Sequence, residues 1–321
     1  MLKATGFLSV IVMRMKPLHI ETPLLEWHPL AISARRPVWL KLEAMQPPGS
    51  FKIRGIGLAC QEYVRRGAER FISSSGGNAG IAVAYAGRRL SVPAVVVVPE
   101  TTTERAMALI QKEGAEVVVH GSTWQEANEL ALSMVKESDA FLHPFDDPLV
   151  WRGHASLVDE VVRSGVRFDA VVLSVGGGGL LCGVVEGLHR TGRGDIPVIA
   201  VETEGADSLA QSIRAGHRVE LTEITSIATS LAAKRVCDQA FRWSKEHPVH
   251  SIVVSDRAAV FACLRFLADH QMVVEPACGA SLAAVYDATP ELEEYESLLV
   301  VVCGGVTATV EQLREWSGKC A

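Results

Sequence analysis

The stretch Asp169-Ala-Val-Val-Leu-Ser-Val175 runs directly into Gly176-Gly-Gly-Gly-Leu180 and then into a helical pattern over 181–189. The order is strand, glycine-only turn, helix N-terminus. Without Cβ atoms the turn's backbone N–H groups can face an anion, and the helix dipole adds partial positive charge there. The same residues also suit a purely structural turn. A dinucleotide fingerprint fits poorly, because Gly176 and Gly178 are followed by Leu181 where G-x-G-x-x-G needs its third glycine. Glu202, ending the next strand where a ribose-binding acid would lie, is all that favours it.

Outward from this unit, short β-rich apolar runs alternate with amphipathic stretches. The pattern predicts strands over 38–43, 71–74, 94–98, 115–120, 170–175, 198–202 and 298–303. Helices are expected around 54–66, 79–90, 103–113, 124–137, 180–190, 256–269 and 307–317. Such alternation implies an α/β fold of mostly parallel, twisted sheets covered by helices on both faces. The unbroken runs Val95-Val-Val-Val98 and Leu298-Leu-Val-Val-Val-Cys303 fit strands buried on both sides. Segment 53–148 holds three strand–helix units and reads as a small domain. It would be inserted in a large one made of 1–52 and 149–321, with ligands in the cleft between them.

Composition narrows the function classes. With 48% hydrophobic residues in 321, the chain can bury a large core and is not disordered. A net charge of −6 with no basic block argues against a nucleic-acid partner. No apolar run approaches the ~18 residues of a membrane span. Seven cysteines, none in a C-x-x-C pair, suggest free thiols and a reducing cytoplasm. Cys60, Cys182, Cys263 and Cys278 sit among apolar neighbours as buried thiols do. The apolar run at 6–12 is short for a signal sequence and lacks a cleavage site, so residues 1–14 read as an extension, with Met13 or Met15 the initiator.

Two further loops bear chemistry. Ser73-Ser-Ser-Gly-Gly-Asn-Ala-Gly80 again joins a strand to a helix. Its N–H groups and hydroxyls suit a carboxylate, and the Asn78 amide suits a phenolate-type oxygen. A helix cap needs only one such residue. In Pro47-Pro-Gly-Ser-Phe-Lys-Ile-Arg54, Lys52 stands between Phe51 and Ile53, and an apolar surrounding lowers a lysine's pKa as a Schiff-base amine requires. A solvated surface lysine is the plainer alternative.

Taken together, Ser50-Phe51-Lys52, Ser75-Gly-Gly-Asn78 and Gly176-Gly-Gly-Gly-Leu180 resemble the pyridoxal-phosphate enzymes of the tryptophan-synthase β-like fold, fold type II. Within them the chain is similar to the serine/threonine dehydratases, of the liver-type and dehydratase-like branch, from about Leu18 to the C-terminus. Gly49-Ser-Phe-Lys-Ile-Arg-Gly-Ile-Gly57, Pro144-Phe-Asp-Asp-Pro148, Gly153-His-Ala-Ser156, Val274-Glu-Pro-Ala-Cys-Gly279 and Val302-Cys-Gly-Gly305 carry that resemblance.

The resemblance implies a two-lobed lyase that converts L-serine or L-threonine to pyruvate or 2-oxobutanoate and ammonia. Lys52 would attach the cofactor and act as base, and Phe51 would stack on its ring. Asn78 would meet the ring hydroxyl, Gly176, Gly177, Gly178, Gly179 and Leu180 would bind the phosphate, and Cys303 would face the pyridine nitrogen. Ser75, Gly76, Gly77 and Ala79 would surround the substrate carboxylate. A neutral thiol at the ring nitrogen favours β-elimination over transamination. Ser230 stands where relatives carry a small apolar residue opposite Phe51, either touching the cofactor or merely capping. Liver-type enzymes carry alanine at the position of Gly76, and dehydratase-like relatives carry glycine. Glu202 with the carbonyls of Ala206 and Leu231 would hold a monovalent cation such as K+, or else Glu202 is a solvated strand-end carboxylate. A homodimer is expected, and no C-terminal regulatory domain. An amino-acid racemase, another β-eliminase, or a non-catalytic cofactor-holding protein are the alternatives. His143 and His154 lack metal-like spacing, with His154 expected to help fix a helix after Pro148. Asp146 and Asp147 read as turn residues, and the acids of 291–296 as a solvated loop.

Overall fold

The computed structural model describes residues 15–319. The readings placed on 1–14, including the initiator Met13, lie outside the described residues. Ten strands form: β1 (Leu24–Glu26), β2 (Val38–Lys41), β3 (Arg70–Ser73), β4 (Ala94–Val98), β5 (Glu116–Val119), β6 (Asp139–Phe141), β7 (Ala170–Ser174), β8 (Val198–Thr203), β9 (Val249–Val254) and β10 (Leu298–Val301). One sheet has the order β1-β2-β10-β7-β8-β9, the other β5-β4-β3-β6. Every pairing is parallel except β1 with β2.

All seven strands expected from sequence are present. The three additional ones, β1, β6 and β9, each lie at a sheet edge. An edge strand has only one paired neighbour and is less enclosed, so it does not carry the continuous apolar run that marks a central one. The helix Pro276–Tyr286 was hidden for the opposite reason. All of its residues are buried, so it lacks the polar face that gives a helix its period.

Two main apolar cores follow the two sheets. Leu40, Val172, Ile199 and Val300 belong to that of the six-stranded sheet. Ile53, Ile56, Phe71, Ala82 and Val96 belong to that of the four-stranded sheet. The chain passes from one to the other between Phe51, packed on the first core, and Ile53, inside the second. It returns between Val150 and Trp151.

At this double crossing the helices Lys52–Arg65 and Pro148–His154 meet backbone to backbone. A Cβ on Gly153 would lie 2.3 Å from the Arg54 carbonyl oxygen and 2.6 Å from the Gly55 Cα. One on Gly55 would lie 2.5 Å from the Val150 carbonyl oxygen. Neither neighbour is a flexible side chain, so a methyl group must push the two helices apart. Gly153→Ala is expected to lower the unfolding free energy by about 3 kcal/mol, the upper part of the usual overpacking range. Gly318→Ala, in open space within the helix Val310–Lys319, should be neutral or stabilising by up to ~1 kcal/mol. Denaturant titration of both variants checks the pair, and equal stabilities would refute the close crossing.

Candidate active site

Lys52 opens its helix where the chain leaves the first core. Its Nζ donates a 2.7 Å hydrogen bond to the Pro144 carbonyl. That carbonyl is held by a tight turn in which His143 Nδ1 accepts the N–H groups of Phe145 at 3.3 Å and Asp146 at 2.8 Å. Asp147 ends the turn, capping the next helix through the Leu149 N–H at 2.7 Å and accepting the Tyr63 hydroxyl at 2.8 Å. Burial lowers the Lys52 ammonium pKa to about 8, with Cys303 and Glu275 pulling the other way. Burial, assisted by the Lys52 charge, also brings His143 down to about 4, so it accepts here as a neutral ring.

A second wall comes from the end of β10. The Phe51 N–H donates to the Cys303 carbonyl at 3.0 Å, and Ser50 pairs with Gly304 in an isolated bridge. The Cys303 thiol is buried; a hydrogen bond with Cys278, together with that burial, raises its pKa well above the ordinary value. It is therefore a neutral S–H. The Phe51 ring rests on His154, centroid to centroid 4.8 Å. His154 is fully buried and neither ring nitrogen has a partner, so it supports its surroundings by packing rather than by hydrogen bonds.

The third wall is polar. Asn78 begins the helix Asn78–Leu90 and donates Nδ2–H to Glu275 Oε1 at 2.7 Å. Ser230 Oγ receives a longer contact from the same nitrogen, 3.5 Å. Glu275 Oε2 accepts the Thr307 hydroxyl at 2.7 Å. Burial raises the Glu275 carboxyl pKa, while Thr307, Ser230, Asn78 and the Lys52 charge oppose the rise. The Asn78 amide thus turns its nitrogen to Glu275. Its Oδ1 is left buried without a partner.

The glycine loop closes the ring of contacts. A Cβ on Gly177 would lie 2.3 Å from the Phe145 ring, beside the turn that holds Lys52. Gly178 has φ +93°, a conformation that disfavours any side chain. A Cβ on Gly176 would lie 3.1 Å from the Ser230 carbonyl oxygen, beside the group that meets Asn78. The helix Gly179–Arg190 has no side-chain cap and no acid in its first turn, so its leading N–H groups remain available to an anion. Ser75, Gly76 and Gly77 are partly open beside the buried Asn78 and Ala79.

Lys52, Phe51, Asn78, Ser230, Cys303 and the glycine loop are thus joined in one circuit of contacts. The fit to pyridoxal phosphate rests on three features: a buried amine, a side-chain-free anion cradle, and the orphaned Asn78 Oδ1. Glu275 was quoted in sequence without a role. Its signal was an acid between Val274 and Pro276 in an apolar run, where only burial with partners is tolerable.

Glu202 departs from the solvated alternative. It is fully buried at the end of β8, and its carboxylate accepts the Leu209 N–H at 2.9 Å and the Ala210 N–H at 2.7 Å. Burial pushes that carboxyl up to about 8. The correction follows from β8 being central: all six of its residues are buried.

Comparison with known proteins agrees with this geometry. Residues 15–304 match the family described as pyridoxal-phosphate dependent enzyme. A human L-serine dehydratase/L-threonine deaminase is 47% identical over 310 residues, covering 93% of this chain and 94% of its own. A mouse serine dehydratase-like protein is 47% identical, covering 94% of each chain. Among solved structures, a fungal L-serine ammonia-lyase from Rhizomucor miehei superposes with TM-score 0.89 at 36% identity, covering 95% of this chain and 99% of that one.

The Lys52 environment has a direct consequence for pH. In cofactor-free protein, modification of Lys52 by an amine-directed reagent should rise through a midpoint near 8, as the ammonium loses its proton. Solvated lysines should titrate near about 10.4. Peptide-resolved labelling across pH measures both, and a Lys52 midpoint above 10 would contradict its burial.

Proposed function

The chain belongs to the family of pyridoxal-phosphate dependent enzymes, and from that premise we propose that it is an L-serine/L-threonine ammonia-lyase. It converts L-serine to pyruvate and ammonia, and L-threonine to 2-oxobutanoate and ammonia. The observation that carries this reading is the Lys52 amine, its pKa lowered to about 8 by desolvation and held by the Pro144 carbonyl in the same turn whose Phe145 packs on the glycine loop.

When bound, pyridoxal phosphate withdraws electrons from the substrate's α-carbon, which acidifies the α-proton and lets a β-substituent leave. The residues of the chain divide the remaining work. The N–H groups of Gly176, Gly177, Gly178, Gly179 and Leu180 would hold the phosphate. Phe51 and Ser230 would hold the cofactor ring, and Asn78 would meet its hydroxyl. Ser75, Gly76, Gly77 and Ala79 receive the substrate carboxylate and so orient the α-carbon. Lys52 Nζ, uncharged above its pKa of about 8 and partly so below it, takes the α-proton. Cys303 would offer a neutral thiol to the ring nitrogen, which would favour elimination over transamination.

The same reading makes residues 53–148 the small domain and places the enzyme in the cytoplasm as a homodimer acting in amino-acid catabolism. It assigns K+ to Glu202 with the Ala206 and Leu231 carbonyls. Among the described residues no helix is long and apolar enough to cross a membrane.

Racemisation is the competing outcome, and it needs a proton donor on each face of the α-carbon. Lys52 serves one. Gly76 has no side chain to serve the other, and a lost general acid costs about 10²–10⁴-fold. Pyruvate release from L-serine should therefore exceed D-serine formation by at least about 100-fold, and Lys52→Ala should abolish both. Lactate-dehydrogenase-coupled assay and chiral analysis of residual serine measure the two rates. D-serine accumulating as fast as pyruvate, or turnover surviving in Lys52→Ala, would overturn the reading.

A further inference from the structure

The strongest structure outside the cleft is a buried ionic cluster on the far side of the Lys52 helix. The Arg54 guanidinium is completely enclosed. Its Nε and Nη2 donate to the two oxygens of Glu43 at 2.7 and 2.8 Å. Nη1 and Nη2 donate to those of Glu160 at 2.6 and 2.7 Å, and Nη1 also reaches Ser156 Oγ at 3.0 Å. Lys41 Nζ joins Glu160 at 2.5 Å, and the Thr22 hydroxyl joins Glu43 at 2.6 Å. Two cations and two carboxylates balance, drawn from β2, the turn after it, and the helix Ser156–Ser164.

We propose that Arg54 is a positioning residue for Lys52, holding the start of the helix Lys52–Arg65 so that the amine stays at its working position in the cleft. This inference rests on the function proposed above.

Three observations carry it. First, the helix start has no other anchor of the usual kind. Phe51 provides no side-chain cap and the first turn contains no acid. Arg54 there, and Lys52 while it is protonated, oppose the helix dipole. Glu43 and Glu160 supply the missing negative charge through Arg54. Second, this is the point where the chain passes from one core to the other, between Phe51 and Ile53. The body of the helix packs into the core of the four-stranded sheet through Ile53 and Ile56. The cluster instead fastens it to elements of the six-stranded sheet. Third, residues two apart on a helix point about 200° apart. Arg54 therefore grips the face opposite Lys52 and fixes rotation about the axis. A rotation of about 20° would carry a group ~6 Å from that axis by about 2 Å. Misplacement by even ~1 Å can cost about 10²-fold in rate.

The test compares Arg54→Lys and Glu160→Gln with wild type. Lysine keeps the charge but cannot bridge two carboxylates in a fork. Attachment of pyridoxal phosphate is followed first, by visible absorbance without substrate, then kcat and KM for L-serine per loaded enzyme. Arg54→Lys is expected to slow cofactor attachment and lower kcat by at least about 30-fold. KM should change less than about threefold, since the carboxylate loop at 75–79 is untouched. Glu160→Gln, which leaves the Glu43 fork intact, should lower kcat by about 3- to 10-fold. If both variants lose only thermal stability, with attachment rate and kcat of wild type, the role is purely structural and the inference falls. Should Arg54→Lys not fold, the Glu160→Gln result decides alone. Absence of a visible band in wild type would defeat the proposed function instead, which keeps the two failures apart.

Discussion

A primary amine has its pKa lowered toward neutrality only where its surroundings solvate an ammonium worse than water does. Lys52 meets that condition through burial, with the Pro144 carbonyl accepting its hydrogen bond, and Cys303 and Glu275 oppose the shift. A lowering to about 8 corresponds to roughly 3 kcal/mol against the charged form. Glu275 works in the opposite direction, yet it is spread over Asn78, Thr307 and Ser230. Burial is the larger effect, so the net shift of Lys52 is downward. Each wall of the cleft can be traced to this requirement.

The walls belong to different parts of the chain, and the fold must bring them together. The Lys52 helix spans the passage between two cores, the turn at Pro144 precedes the return passage, and the glycine loop follows β7. Backbone contact at Gly55 and Gly153 locks the two passages together. Phe145 then touches the glycine loop while Pro144 holds Lys52. A displacement of either passage would therefore be felt at both the amine and the anion cradle.

Central strands and loop chemistry were legible in the sequence because each is written in adjacent residues. Val95–Val98 and Leu298–Cys303 fit strands buried on both sides, of which Leu298–Val301 is the strand formed, and four consecutive glycines fit a turn without side chains. Edge strands β1, β6 and β9 left no such mark, since one open side relaxes the demand for apolar residues. The roles of Glu275 and Arg54 were also hidden. A buried charge is intelligible only with its partners, and those lie 197 residues away for Asn78 with Glu275 and 106 for Arg54 with Glu160. For Glu202 a cation site and a solvated strand end both stayed open, because its burial depends on the helix Ser208–Ala215, whose Leu209 and Ala210 N–H groups its carboxylate accepts.

The central claim is that Lys52, among all the lysines, carries the cofactor. Borohydride reduction of the protein loaded with pyridoxal phosphate, followed by peptide mass mapping, tests it most directly. The phosphopyridoxyl group is expected on the peptide containing Ser50-Phe51-Lys52, at one group per chain. Its recovery on a different lysine, or on none, would contradict the account.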